Sequence, residues 1–270
     1  MPYLHKHSLY ISNPENSLDF YINKLGMKLV NEFIENTKEF YHLKFNLDTN
    51  EAILELIFDK NNNCTVYQKI DSRLTGYWKM SICIKDVDIA RNKLLEKGIE
   101  LTKAFQVPDV AYLCHFSDPD GYSLELIQHE FEKKHIKQKE DALYALGNRA
   151  IFSLITYRVK DIDKSLTFYK NDLKMKLLSK MDVSKRGFEL YFLGFTNESL
   201  PNEDVESIEN REWLWKRGYT MIELQYVFGS NKDDSFQYET GVSTGFKSFS
   251  ILSNENKTKY DPDGYKIVLY

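Results

Sequence analysis

The chain has no histidine after His135. All six, His5, His7, His42, His115, His129 and His135, fall in the first half, so any site that needs imidazole must draw on that half. Cysteine is scarce too. Cys64, Cys83 and Cys114 make no even framework and show no CxxC, which points to reduced thiols in a cytoplasmic compartment. Long apolar runs are missing, so neither a signal peptide in MPYLHKHSLYI nor a bilayer-spanning segment is expected. Nor is there an excess of charge of one sign. Lys and Arg number 36 against 40 Asp and Glu, interspersed along the chain, and this balance does not favour nucleic acid or an anionic membrane as a partner.

What is present is a globular composition, 42% hydrophobic and 28% charged, in 270 residues, enough for two domains with their own cores. A repeat organises it. NPENSLDFYINKLGMKL from Asn13 aligns without a gap to DIDKSLTFYKNDLKMKL from Asp161, pairing Phe20 and Tyr21 with Phe168 and Tyr169. A second block, DPDGY, recurs at Asp118–Tyr122 and at Asp261–Tyr265. Two blocks in the same order establish an internal duplication.

Each copy begins with a strand (SLYI, ITYRV) followed by an N-cap, Asn13 or Asp161. The first of the two helices has apolar residues at Leu18, Tyr21, Ile22 and Leu25 and stops at Gly26 in a left-handed conformation. KEFYHLKFNL and AILELIF, like GFELYFLGF and YTMIELQYVF, read as strands, and DPDG carries turn chemistry. The same unit recurs within the first copy as WKMSICIKDV, a helix ending at Gly98, and the hairpin AYLCHFSDPDGYSLELI. The expected fold is α+β, with four βαβββ modules paired into two domains. Residues 1–130 form the first domain, 131–148 a linker or linking helix, and 149–270 the second. The fourth module is abbreviated, since no helix fits between Leu252 and Asp261. The insertion ESLPNEDVESIENREWLWKRG reads as a surface excursion anchored by Trp213 and Trp215.

These motifs resemble the glyoxalase, or vicinal oxygen chelate, superfamily across essentially the whole chain. YRVKDIDKSLTFY, FELYFLGF, REWLWKRGYTMIELQY and DPDGYKIVLY are closest to its glyoxalase I (lactoylglutathione lyase) branch. The resemblance implies cups built from paired modules, each cup holding one divalent metal. His or Gln on the first strand and Glu on the last strand of each module would be its ligands, and a carboxylate would shuttle protons.

First-strand positions lie seven residues before the capping Asp or Asn. They are Lys6, Lys79 and Leu154, with Ser248 in the fourth module; the last-strand positions are Glu55, Glu125, Glu223 and Val268. Pairing the second module with the third gives a cup of Lys79, Glu125, Leu154 and Glu223. Pairing the first with the fourth gives a degenerate cup of Lys6, Glu55, Ser248 and Val268. Neither has the nitrogen-and-oxygen set that Zn²⁺ or Ni²⁺ prefers. The expectation is therefore no cofactor, with Lys79 balancing two buried carboxylates; if metal is bound, Glu125 and Glu223 hold it.

Three glutamates flanked by leucine or isoleucine at repeat-equivalent places favour a cup over a solvated strand face. His5 and His7 flank Lys6 and should point away from it, unless a bulge turns one inward. His115 could line the first domain's cup but reads more readily as an ordinary half-buried strand residue, and His129 and His135 read as solvent-facing. Arg158 stands where the resemblance implies a hold on a glutathione carboxylate, the alternative being a surface arginine. Trp78, Trp213 and Trp215 could wall a cup or pack elsewhere. The sequence thus supports a divergent glyoxalase I-like protein that binds a small carbonyl compound or a thiol adduct such as that of glutathione, with Glu125 and Glu223 as catalytic candidates and Arg158 and Lys79 as substrate-binding ones. Alternatives are an active metal-dependent lyase converting methylglyoxal, or a related isomerase, and a non-catalytic sequestering protein. Either a monomer or a homodimer is compatible.

Overall fold

The computed structural model describes residues 1–61, 74–141 and 143–270; Cys64 lies outside them. The first module comprises β1 (Tyr3–Ile11), α1 (Pro14–Leu18), β2 (Lys28–Glu35), β3 (Lys38–Lys44) and β4 (Ile53–Asp59). The second has β5 (Tyr77–Ile84), α2 (Val87–Glu96), β6 (Phe105–Val107), β7 (Ala111–Ser117) and β8 (Ser123–Gln128). β9 (Ile151–Val159), α3 (Ile162–Thr167), β10 (Lys176–Val183), β11 (Phe188–Gly194), α4 (Glu209–Leu214) and β12 (Met221–Val227) form the third. Only β13 (Phe246–Leu252), β14 (Lys257–Tyr260) and β15 (Lys266–Leu269) make up the fourth, without a helix. This is the α+β arrangement of four modules, the last abbreviated, that the sequence leads one to expect.

Two curled sheets result. One runs β14-β15-β13-β1-β4-β3-β2 and the other β10-β11-β12-β9-β5-β8-β7-β6. Module one is thus joined edge to edge with module four, through antiparallel β1 and β13, and module two with module three, through β5 and β9. Neither sheet is made by one half of the chain. The side chains of Asn13, Asp86 and Asp161 each accept a hydrogen bond from the backbone N–H three residues on, which sets the start of α1, α2 and α3. α1 and α3 continue as π-helical turns over Asp19–Lys24 and Phe168–Asp172.

The two repeated blocks recur together because they touch. Tyr21 donates its hydroxyl proton to Asp118 Oδ2 at 2.8 Å, and Tyr169 does the same to Asp261 Oδ2 at 3.0 Å. Asp118 Oδ1 also accepts the backbone N–H groups of Asp120 and Tyr122, closing the DPDG turn. The tyrosine ending each block then reaches into the neighbouring module: Tyr122 Oη donates to the Tyr10 carbonyl and Tyr265 Oη to the Arg158 carbonyl. Each hydroxyl fills the space beside a glycine. A Cβ on Gly245 would lie 1.7 Å from Tyr122 Oη, and one on Gly76 2.0 Å from Tyr265 Oη. Gly245 also has φ +80°, a left-handed conformation that costs other residues free energy.

Of the two forms expected for 131–148, the linker is the one present. No long helix joins the halves: 131–148 contains a single 3₁₀ turn, Glu132–Lys134, and is otherwise irregular among the described residues. The insertion before β12 is not merely a surface excursion. Trp215 is fully buried, and its indole N–H donates to the Val110 carbonyl at 3.1 Å. Arg211 donates to the Asp109 and Lys180 carbonyls, so α4 bridges the β6–β7 hairpin and β10 and closes one end of the eight-stranded cup. An amphipathic aromatic explains this: its ring is buried while its one donor finds a partner.

Candidate functional site

Parallel pairing of first and last strands sets the site. In the register of β5 and β8, Ser81 lies opposite Glu125; in that of β9 and β12, Thr156 lies opposite Glu223. Lys79 and Thr156 face one another across the module boundary. Period-two alternation then turns Lys79, Ser81, Glu125, Thr156 and Glu223 toward one interior, and all five are buried.

The Lys79 ammonium sits between the two carboxylates, 2.8 Å from Glu125 Oε2 and 2.9 Å from Glu223 Oε2, with Ser81 Oγ at 3.4 Å. Its three N–H groups thus have three acceptors. Ser81 Oγ donates to Glu125 Oε2 at 2.8 Å, and Thr156 Oγ1 to Glu223 Oε2 at 2.5 Å. Burial by itself would depress the Lys79 pKa, but the two carboxylates reverse this and hold it above the ordinary lysine value. Burial would likewise raise Glu125, yet the Lys79 charge and the His115 hydrogen bond outweigh it and hold Glu125 well below the usual carboxylate range.

Of the two readings of His115, the structure takes the one that lines the cup. The His115 Nε2 lies 2.9 Å from Glu125 Oε1, and the ring is about one-third exposed. The first sheet repeats the arrangement, with His42 Nε2 at 2.8 Å from Glu55 Oε2. Each histidine stands directly opposite its glutamate on the preceding antiparallel strand. The signal was in the sequence: YHLKF before AILELIF and YLCHF before YSLELI are equivalent hairpins. The third module has Phe192 opposite Glu223, and no imidazole there.

A small interior cavity of about 110 Å³ lies over this cluster, lined by Lys79, His115, Glu125, Glu223, Phe192 and Trp215 among others. A larger cleft of about 860 Å³ adjoins it through Trp78, Lys79 and His115 and runs past Phe20 and Leu101. Trp78 and Trp215 wall these spaces, whereas Trp213 stacks under the Arg217 guanidinium. Arg158 is buried: Nε donates to Gln225 Oε1 at 3.0 Å, Nη1 to the Thr75 carbonyl at 2.9 Å, and the guanidinium lies over the Trp78 ring. The alternative of a surface arginine is therefore excluded.

In the seven-stranded sheet, Lys6 donates to Glu55 Oε2 at 2.7 Å and Ser8 Oγ to Oε1 at 2.7 Å. Burial would raise Glu55, but His42, Lys6 and Ser8 lower it to about 2. Ser248 is buried opposite Ser8, and Val268 pairs with Ser250, where Glu223 pairs with Thr156. His7 points into the core as expected, with Nε2 at 3.3 Å from Tyr77 Oη, and burial lowers it to about 3. β1 does bulge at His5, between Leu4 and Lys6. His135 is not solvent-facing: it is 2.8 Å from Asp86 Oδ2 and only 14% exposed. His129 is half-buried, and burial lowers it to about 4. Cys83 and Cys114 are free thiols, each buried and raised by that burial to about 12. No helix among the described residues is long and apolar enough to cross a membrane.

Paired modules with glutamates on their last strands, set inside two curled sheets, can be compared with known proteins as one arrangement. Residues 3–126 match the Glyoxalase/Bleomycin resistance protein/Dioxygenase superfamily, and the chain carries a domain of that family. Among its relatives, glyoxalase I of Saccharomyces cerevisiae is 26% identical over 87% of this chain and 72% of its own length. Lactoylglutathione lyase of Schizosaccharomyces pombe is 24% identical over 86% and 74%. The crystal structure of glyoxalase I from Zea mays superposes with a TM-score of 0.74 at 20% identity, covering 100% of this chain and 92% of that one, which establishes the shared fold.

Proposed function

We propose that this chain is a divergent glyoxalase I-like protein that binds a small carbonyl compound or thiol adduct, with the Lys79 ammonium taking the place of the metal. One observation carries the reading: a fully engaged ammonium lies between Glu125 and Glu223, where a divalent ion would need those same oxygens. The residues present do not fit such an ion. Lys79 offers no lone pair, Leu154 and Phe192 offer no donor, and among the described residues no three His, Cys, Asp or Glu side chains are grouped to hold one. Ion pairing of this kind satisfies two carboxylates whose burial alone would cost several kcal/mol, by a rough estimate.

The interior cavity is smaller than the several hundred Å³ usual for a whole ligand. A polar head group placed against His115 and Glu223 would therefore leave its body in the adjoining cleft, beside Trp78 and Leu101. Glu223 Oε1 has no hydrogen-bond partner among the described residues, so it is the carboxylate oxygen open to a ligand. Arg158, engaged with Gln225 and Thr75, lies over the Trp78 ring and orients it at that mouth. The reading places the protein in the cytoplasm, as a monomer or homodimer, with domains at 1–130 and 149–270.

The names of the relatives favour a second reading, a metal-dependent lactoylglutathione lyase in which Glu223 moves the proton and Glu125 holds metal. Turnover of methylglyoxal plus glutathione, with and without added Zn²⁺ or Ni²⁺, separates the two, with thermal stabilisation by S-lactoylglutathione measured alongside. Stabilisation without turnover supports the binding reading, and metal-dependent turnover overturns it. A sequestering protein shares the first outcome and differs only in lacking a chemical product.

A further inference from the structure

The two cups have opposite charge balance. In the eight-stranded cup one lysine serves two glutamates; in the other, Val268 stands where Glu223 does, so one glutamate faces several cations. Glu55 already accepts Lys6 at 2.7 Å, His42 at 2.8 Å and Ser8 at 2.7 Å. Lys247 adds a further ammonium only 3.8 Å away. It reaches this face because β13 bulges between Phe246 and Ser248, leaving Lys247 unpaired. The equivalent bulge in β5, between Tyr77 and Lys79, presents Trp78 to the other cup.

Lys247 is poorly served by the protein. Its side chain is 31% exposed, it makes no hydrogen bond among the described residues, and besides Glu55 its neighbour is the Phe40 ring, 5.2 Å from Nζ. Burial lowers its pKa and Glu55 opposes this, while Lys6, Lys38 and Lys266 add their repulsion. Lys38 is separately engaged with Asp59 and the Tyr10 hydroxyl. Beside the cations lies an apolar floor of Tyr10, Phe40 and Ile57, on which the half-exposed Phe33 stacks with ring centroids 4.7 Å apart.

We infer that the cup of the seven-stranded sheet binds a small organic anion, its carboxylate or phosphate held between Lys6, His42 and Lys247 and its apolar body on Phe33, Phe40 and Tyr10. A surplus of ammonium over carboxylate is stabilised by a bound anion, and a desolvated edge of aromatic rings favours an apolar body over a bare ion. The inference concerns a different cup from the reading above and stands or falls without it.

The test is titration with phenyl phosphate, benzoate and inorganic phosphate, followed by calorimetry and by chemical-shift changes in isotopically labelled protein. Phenyl phosphate or benzoate should bind saturably, more tightly than inorganic phosphate, and whichever binds tighter identifies the head group. Lys247→Gln should weaken binding at least about tenfold, with Lys247→Arg retaining it within a few-fold. Glu223→Gln, in the other cup, should leave it unchanged. Absence of saturable binding into the millimolar range, or loss of binding in Glu223→Gln but not in Lys247→Gln, would overturn the assignment.

Discussion

Replacing Lys79 by methionine removes one charge and strands two. Glu125 and Glu223 would then share a buried space with only Ser81, Thr156 and His115 to answer them. Breaking a buried ion pair by removing one partner costs about 3–5 kcal/mol. Proton uptake sets a ceiling: neutralising one glutamate at pH 7 costs about 3.7 kcal/mol, from about 1.36 kcal/mol for each of some 2.7 pH units above its ordinary pKa. The loss at pH 7 should thus be about 4 kcal/mol. At pH 5 protonation costs only about 1 kcal/mol, so the loss should shrink toward that value. Urea denaturation of wild type and Lys79→Met at both pH values measures this, and Lys79→Met combined with Glu125→Gln and Glu223→Gln should recover most of the stability at pH 7. A loss under about 1 kcal/mol, or one that does not change with pH, would refute the reasoning.

Other predictions address the frame around the site. Gly245→Ala combines a left-handed backbone with a Cβ 1.7 Å from Tyr122 Oη, and should cost about 3 kcal/mol or more in chemical denaturation. Trp215→Ala should cost about 3–5 kcal/mol and open the end of the eight-stranded cup, read as faster tryptic cleavage in 203–217. Burial, and then Asp120, raise Asp118 to about 7. An acid whose folded pKa is raised contributes stability that falls as pH climbs from its unfolded value toward 7. Asp118→Asn should therefore gain on the wild type by about 2 kcal/mol between pH 5 and pH 8, measured by urea denaturation at each pH.

Much of this was written locally. The caps at Asn13, Asp86 and Asp161, the DPDG turns and the L/I-E-L strands are short-range patterns, and they led to the modules and to Lys79, Glu125 and Glu223 as neighbours. His115 was legible as a cup-lining alternative; His42, which lies on the equivalent strand before its own glutamate, was legible in principle too, but attention to first and last strands alone passes over it. Lys247 was not legible. It faces the cup only because β13 pairs with β1 across more than two hundred residues with a bulge at one position, and no local pattern encodes that register. The anchor at Trp215 was legible, but not its partner, since Val110 belongs to another module.

The central claim is that an ammonium stands in for a metal between Glu125 and Glu223. Its most direct test is elemental analysis of the protein purified without chelator. The account predicts no stoichiometric divalent metal. About one Zn²⁺ or Ni²⁺ per chain, lost on Glu223→Gln, would contradict it and restore the metal-dependent lyase.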